Sequence, residues 1–129
     1  MKKYLFIMMV SIFSLLFGSC KSSEGFQNLA VDQFEQFIAK PEVQLVDLRS
    51  SEEFMEGHIP GATNVDVQSS DFVDRATSML DKGKKVAVYC RSGRRSANAA
   101  SQLSKAGFKV TNLTGGIIGW QVAGKKVVK

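Results

Sequence analysis

From Phe26 onward the chain alternates short apolar runs with segments of helical spacing, and this alternation restricts the possible fold more than any other feature. Phe34, Phe37 and Ile38 stand at i, i+3 and i+4, which predicts a helix over Asp32–Lys40 ended by Pro41. Val43–Leu48 reads as a strand, and Ser50 with Glu53 has capping-box spacing for a brief helix that stops at Gly57. Thr63–Val67 alternates as a further strand, and Phe72, Val73, Ala76, Met79 and Leu80 mark one face of a second long helix. Lys85–Tyr89 has the apolar continuity of a buried central strand. A helix follows from Ser96 to Ala106, with Ala99, Ala100 and Leu103 inward and Gly107 as its stop, and Lys109–Leu113 is the last strand. Strands alternating with helices imply one small α/β domain with a mainly parallel sheet.

Composition narrows the function. The 129 residues suit one domain, and 44% hydrophobic residues with two prolines exclude a disordered, collagen-like or low-complexity chain. Two cysteines and one histidine are too few for a disulfide scaffold or a Cys-rich or His-rich metal centre. The formal charge of +5 leans toward anions, yet no basic helix or arginine-rich tract is long enough to indicate nucleic-acid binding.

The N-terminus reads as separate from the domain. Met1-Lys2-Lys3 is basic, residues 4–17 form an apolar run broken only by Ser11 and Ser14, and small residues precede Cys20. This is the pattern of a secretory signal peptide over residues 1–19, and the run falls short of the roughly 20 residues a spanning helix needs. Leu16-Phe17-Gly18-Ser19-Cys20 also resembles a bacterial lipobox, although Phe17 stands where an aliphatic residue is usual. That resemblance implies a lipidated Cys20 at the mature N-terminus, residues 20–25 as lipidated cysteine and polar tether, and a lipoprotein of the bacterial cell envelope facing the periplasm or the cell surface. A secreted protein with a free Cys20 is the alternative. Without residues 1–19 the formal charge falls to +3, since Lys2 and Lys3 are lost and no acid is.

The chemistry is expected where strand meets helix. Val86–Tyr89 runs directly into Cys90-Arg91-Ser92-Gly93-Arg94-Arg95, with the helix beginning near Ser96. Ligands of open parallel sheets bind beyond the carboxyl ends of the strands, and Cys90 occupies such an end. A glycine lets the backbone turn tightly, successive N–H groups can converge, and the helix presents its positive end, so the loop is a cradle for an anion. Its first occupant would be the Cys90 thiolate, the nucleophilic form, favoured further by the three arginines. A small buried hydrophobe is the other reading of such a cysteine.

Asp47-Leu48-Arg49, Glu56-Gly57-His58-Ile59-Pro60-Gly61-Ala62, Cys90-Arg91-Ser92-Gly93-Arg94-Arg95-Ser96 and Leu113-Thr114-Gly115-Gly116 with Trp120 together resemble a single-domain rhodanese, a sulfurtransferase, across nearly all of Phe26–Gly124. The resemblance implies a three-layer α/β/α fold over residues 26–129 in which Cys90 takes the outer sulfur of thiosulfate as a persulfide and passes it to a thiol or cyanide. No metal or organic cofactor is implied. The N–H groups from Arg91 to Ser96 would stabilise the persulfide, and Arg91 or Arg94 would hold the sulfonate end of the donor. His58 is expected to be structural in a turn fixed by Gly57, Pro60 and Gly61, and Asp47 with Arg49 to be a buried brace. Trp120 is expected in the core or a pocket wall, and Lys82, Lys84 and Lys85 on a solvated edge. Two rivals remain. A phosphatase or arsenate reductase would place its clamping arginine six positions after the cysteine, where this chain has Ser96. A non-catalytic envelope binding module would not require Cys90.

Overall fold

The structure, a computed structural model, describes residues 25–129. Cys20, residues 1–19 and most of the tether therefore lie outside the described residues. The elements are β1 (Gln27–Leu29), α1 (Val31–Ile38), β2 (Gln44–Asp47), α2 (Ser51–Glu56), β3 (Thr63–Asn64), α3 (Phe72–Met79), β4 (Val86–Tyr89), α4 (Arg94–Lys105), β5 (Val110–Leu113) and α5 (Gly116–Val122). Five strands form one sheet in the order β1-β5-β4-β2-β3, and every pairing between them is parallel.

The central position of β4 explains its unbroken apolar sequence. Val86 and Val88 project to one face and Ala87 and Tyr89 to the other, and all four are buried. On the first face they meet Phe72 and Ala76 of α3 and Ala99, Ala100 and Leu103 of α4. On the second they meet Phe34 of α1 and Ile117 and Trp120 of α5. The layers are therefore α/β/α. The expected inward face of α4 is present, and Trp120 is core, with its indole N–H donating to the Lys126 carbonyl at 2.8 Å.

Several expected boundaries differ. Met79 was expected on the inward face of α3 but is 48% exposed, whereas Leu80, the residue after it, packs against the core. The second short strand keeps only Thr63–Asn64, since its partner β2 ends at Asp47; the N–H groups of Val65 and Val67 still donate to the Asp47 and Leu48 carbonyls. β1 and α5 have no counterpart in the periodicity. β1 is a three-residue edge strand, and α5 is made mostly of residues of poor helix propensity, Gly116 and Gly119 with β-branched Ile117, Ile118 and Val122.

Parallel strands place all their carboxyl ends together. Asp47 of β2 pairs in register with Tyr89 of β4, and Val88 of β4 with Asn112 of β5. The segments after these strands, starting at Leu48, Cys90 and Thr114, therefore share one end of the sheet. From β4 the chain leaves to β5, and from β2 it leaves to β3 in the opposite direction, so Cys90 lies at the switch point of the sheet.

Candidate active site

Cys90 follows β4 directly and is 1% exposed, so its sulfur is recessed. It is also polar in its contacts. The N–H groups of Gly93 and Ser96 donate to Cys90 Sγ at 3.1 and 3.3 Å. Burial and hydrogen bonding thus coexist, and the two readings of the cysteine do not exclude each other. The helix starts at Arg94, two residues before the expected Ser96, because Gly93 adopts φ 97° as its N-cap and completes the turn early. Ser96 is then the third helical residue, whose N–H has no carbonyl partner in the helix and is free to meet the sulfur. Arg94 and Arg95 belong to the first turn of α4, not to the loop.

A second wall holds the loop from outside. The N-terminal N–H groups of α5 reach back to it, Ile117 donating to the Cys90 carbonyl at 2.9 Å and Ile118 to the Arg91 carbonyl at 3.1 Å. Gly116, at φ 60°, lets the two backbones meet; a Cβ there would run into the Arg91 carbonyl group. Glycine at Gly93 serves the same junction, since a Cβ would lie 3.1 Å from the Gly115 nitrogen. The pair Gly115-Gly116 is therefore the clamp on the cysteine loop, a role that a local turn pattern did not reveal.

At the same end of the sheet, after β2, lies the Asp47–Arg49 pair. Arg49 Nη2 donates to Asp47 Oδ2 at 2.7 Å and to the Gly57 carbonyl at 2.6 Å, and Arg49 Nε to Asp47 Oδ1 at 3.1 Å. Burial works against the Arg49 charge, but the Asp47 carboxylate outweighs it and holds the guanidinium pKa above its usual value. Asn64 donates to the Asp47 and Arg49 carbonyls at 3.0 and 2.8 Å, and the Ile59 N–H donates to the Tyr89 hydroxyl at 3.0 Å. Burial also pushes the Tyr89 hydroxyl well above the ordinary phenol range. His58 stacks on Phe54 with ring centroids 3.8 Å apart, and its Nδ1 lies 2.9 Å from the Phe54 carbonyl. Its backbone N–H donates to the Val128 carbonyl at 2.8 Å, so the turn is tied to the C-terminal segment.

The side chain of Arg95 has a partner that the loop sequence does not show. Arg95 was expected among the residues that cradle the substrate or persulfide, and its guanidinium is engaged by Glu53, with Nη1 and Nη2 each 3.2 Å from a carboxylate oxygen. Glu53 is the residue that sequence reasoning missed. It was recognised as a cap, and the box is present, with the Glu53 N–H donating to Ser50 Oγ and the Ser50 N–H to Glu53 Oε1, both at 3.3 Å. The partner across 42 positions of sequence was not visible locally. The hydrogen bond from Arg95 holds the Glu53 carboxyl below its usual pKa, and Glu53 in turn raises that of Arg95, with a smaller contribution from Cys90.

This pair carries a pH prediction. A depressed carboxyl pKa adds stability above the unfolded value of 4.5 and loses it as the pH falls through the folded value. The pair is solvent-accessible, so Glu53→Gln, which keeps the cap, is expected to cost no more than about 1 kcal/mol at neutral pH, a difference that shrinks as the pH falls below the unfolded value and is lost once it passes the folded one. Glu53→Ala is expected to cost a further ~0.5–1.5 kcal/mol at every pH, because the Ser50 N–H loses its acceptor while the Ser50 cap itself remains. Urea titrations at pH 7 and 3.5 separate the two contributions.

Beside the loop is a depression of about 420 Å³ lined by Arg49, Glu53, Glu56, Arg91, Ile117, Ile118 and Gln121. Arg91 is exposed and makes no ion pair among the described residues. Arg94 and Ser92 are exposed, and neither lines this depression. Among the described residues no group of three or more His, Cys, Asp or Glu side chains converges as metal ligands would.

This fold, with a cysteine cradled between a central strand and a helix N-terminus, defines an α/β protein of the rhodanese class. The rhodanese-like domain family matches residues 30–123, and the chain belongs to that family. It is 36% identical over 101 residues to a thiosulfate sulfurtransferase of Shewanella oneidensis, covering 77% of this chain and 96% of that protein. It is 38% identical over 99 residues to a sulfurtransferase of Allochromatium vinosum, covering 75% of this chain and 90% of that protein. Among solved structures, a rhodanese-related protein from Thermoplasma volcanium superposes with a TM-score of 0.70 at 28% identity, covering 80% of this chain and 98% of the other. The rhodanese-like domain of an Anabaena protein gives 0.71 at 28% identity, covering 78% and 77%. These relatives support sulfur transfer as the general activity.

Proposed function

We propose that the protein moves a sulfane sulfur from thiosulfate through a persulfide on Cys90 to cyanide or a thiol, and that Cys90 Sγ under two convergent N–H donors is the observation that carries this reading. In the first step the Cys90 thiolate attacks the outer sulfur of thiosulfate. A new S–S bond forms, the S–S bond of thiosulfate breaks, and sulfite leaves with the electron pair. In the second step cyanide or a thiolate attacks the outer sulfur of the persulfide, and the Cys90 thiolate returns as leaving group. No net oxidant or reductant is consumed.

Electrostatics set the difficulty of the first step. A thiolate and a dianion about 4 Å apart repel by ~4 kcal/mol per pair of unit charges at an effective dielectric near 20. The Gly93 and Ser96 N–H groups answer the charge on the sulfur, and Arg91, exposed and lining the depression, would hold the sulfonate. Export and attachment through a lipid on Cys20, with the domain in the bacterial envelope, are part of the same proposal and rest on the N-terminal sequence. The engagement of Arg95 by Glu53 disfavours a phosphatase or arsenate reductase, in which an arginine side chain must clamp the oxyanion from within the loop.

The test is intact-mass spectrometry of the reductant-free protein after exposure to thiosulfate. The expected result is one added sulfur atom, removed by cyanide with release of thiocyanate. An unmodified mass would return the chain to the reading of a binding module. For Arg91→Ala, kcat/KM for thiosulfate is expected to fall about tenfold at low ionic strength and clearly less at ~0.5 M salt, because screening already removes part of the attraction there. Equal losses at both salts would assign Arg91 a packing role instead.

A further inference from the structure

The end of the sheet opposite Cys90 is strongly basic. Lys40 lies between α1 and β2, Lys82, Lys84 and Lys85 between α3 and β4, and Lys105 and Lys109 at the turn from α4 into β5. Because every strand is parallel, these three connections share the amino-terminal end of the sheet. Contacts across them agree: Gln44 Nε2 donates to the Asp81 carbonyl at 2.9 Å, Lys82 lies alongside Gly107 and over the Phe108 ring, and Lys40 and Lys85 both lie over the Phe37 ring. All six lysines are exposed. Only Glu42 and Asp81 in the same connections oppose them, and Asp81 Oδ1 already accepts the Gly83 N–H at 2.8 Å. Six positive charges against two leave a local surplus of four, more than the +3 expected for the whole chain without residues 1–19. The basic character is therefore concentrated here, whereas the arginines at the Cys90 end stand among Glu52, Glu53, Glu56, Asp66 and Asp71.

The chain enters on this same basic end. Gly25, Phe26 and Gln27 line a shallow depression of about 280 Å³ together with Lys85, Phe108 and Lys109, and Ser104 Oγ pins the Gly25 carbonyl at 2.7 Å. Residues 21–24 separate Cys20 from Gly25, a span of at most ~18 Å even when fully extended. An anchor at Cys20 would hold the lysines within a few Debye lengths of the surface that carries it, at ~8 Å each in physiological salt.

We infer that this lysine face is a docking surface for a bilayer of anionic phospholipids, and that it orients the domain with the Cys90 loop directed away from the membrane. The inference rests on the proposal that Cys20 carries the anchor. The chemistry suits an extended anionic plane: the charges are compact ammonium groups spread over three separate connections, and each gains from the negative surface potential without needing a shaped pocket. Tethering makes even weak attraction effective, because the local concentration of headgroups is already high. The consequence is that sulfur donor and acceptor reach Cys90 from the aqueous side.

The test is hydrogen exchange read by mass spectrometry on the full chain reconstituted in vesicles, of phosphatidylcholine alone or with roughly 30% phosphatidylglycerol. Retention on both kinds of vesicle reports the N-terminal anchor, and exchange reports the face, so the two can fail separately. Exchange in segments 80–86 and 104–110 is expected to slow about twofold or more on the anionic vesicles only, to recover at ~1 M salt, and to be the same on both kinds of vesicle in segment 90–96. The combined variant Lys84→Gln, Lys85→Gln, Lys109→Gln is expected to lose this protection while its thiosulfate turnover in detergent stays unchanged. Equal exchange on both lipids, or protection of 90–96 in place of the lysine segments, would overturn the inference.

Discussion

Cys90→Ser is expected to lower thiosulfate-dependent sulfur transfer on the order of 10³-fold or more, because no covalent carrier remains. The exchange replaces one atom, sulfur by oxygen, in a site where Gly93 and Ser96 N–H groups continue to point at it. A hydroxyl there is not deprotonated at neutral pH, and it forms no S–S bond. The fold has little reason to respond: the side chain is small, buried, and able to accept the same two donors. Thermal unfolding of Cys90→Ser within a few degrees of the parent, corresponding to about 1 kcal/mol or less, would accompany the kinetic loss. Sulfite release measures the first step, thiocyanate formation the second. Cys20 is the other cysteine of the chain, so residual transfer in Cys90→Ser that disappears on changing Cys20 as well would move the carrier and refute the assignment.

Gly116→Ala is expected to be the most damaging single-methyl change. Gly116 has φ 60°, where a Cβ costs about 1–2 kcal/mol by itself, and its Cβ would meet the Arg91 carbonyl carbon and oxygen and the Cys90 carbonyl oxygen. These are backbone atoms and cannot rotate aside. Relief requires α5 and the loop to separate, which breaks the Ile117 and Ile118 hydrogen bonds to the loop carbonyls at 2.9 and 3.1 Å. At about 1 kcal/mol each for two hydrogen bonds, added to the backbone strain, a total near 3–4 kcal/mol is expected. Activity should fall further than stability predicts, since the displaced residues carry the sulfur. Gly119→Ala is the control. It lies in the same helix with an ordinary φ, its Cβ would meet only Val31 Cγ2 at 3.7 Å, and it is expected to be neutral or to stabilise by up to ~1 kcal/mol. Urea unfolding and sulfite release on both variants make the comparison; equal effects would mean that α5 is merely sensitive to alanine.

How far the sequence could be read depended on the range of the interaction concerned. The burial of Val86–Tyr89 and the inward face of α4 follow from period and apolarity, which act over a few residues. The Ser50–Glu53 box is likewise local and was legible at a spacing of three. α4 starts two residues before the expected Ser96 because Gly93 terminates the loop through a positive φ that composition alone does not assign. α5 has no local signal because Gly116 is there for close approach to the loop, and glycine counts against a helix in any local reading. Arg91 and Arg95 look alike in the sequence because they are near neighbours, and only the fold brings Glu53 to one of them.

By itself the sequence determined the fold class, the cysteine at the end of the central strand and the chemical kind of its loop, since alternation, apolar continuity and a Cys-Arg-Ser-Gly run are properties of adjacent residues. Tertiary structure decided which groups act together. It set Gly93 and Ser96 on the sulfur, bound Arg95 to Glu53 while leaving Arg91 at the depression, closed the loop with Gly116 and gathered six lysines from three connections onto one end. These outcomes depend on parallel strands sharing their ends, which places residues tens of positions apart within a hydrogen bond's reach.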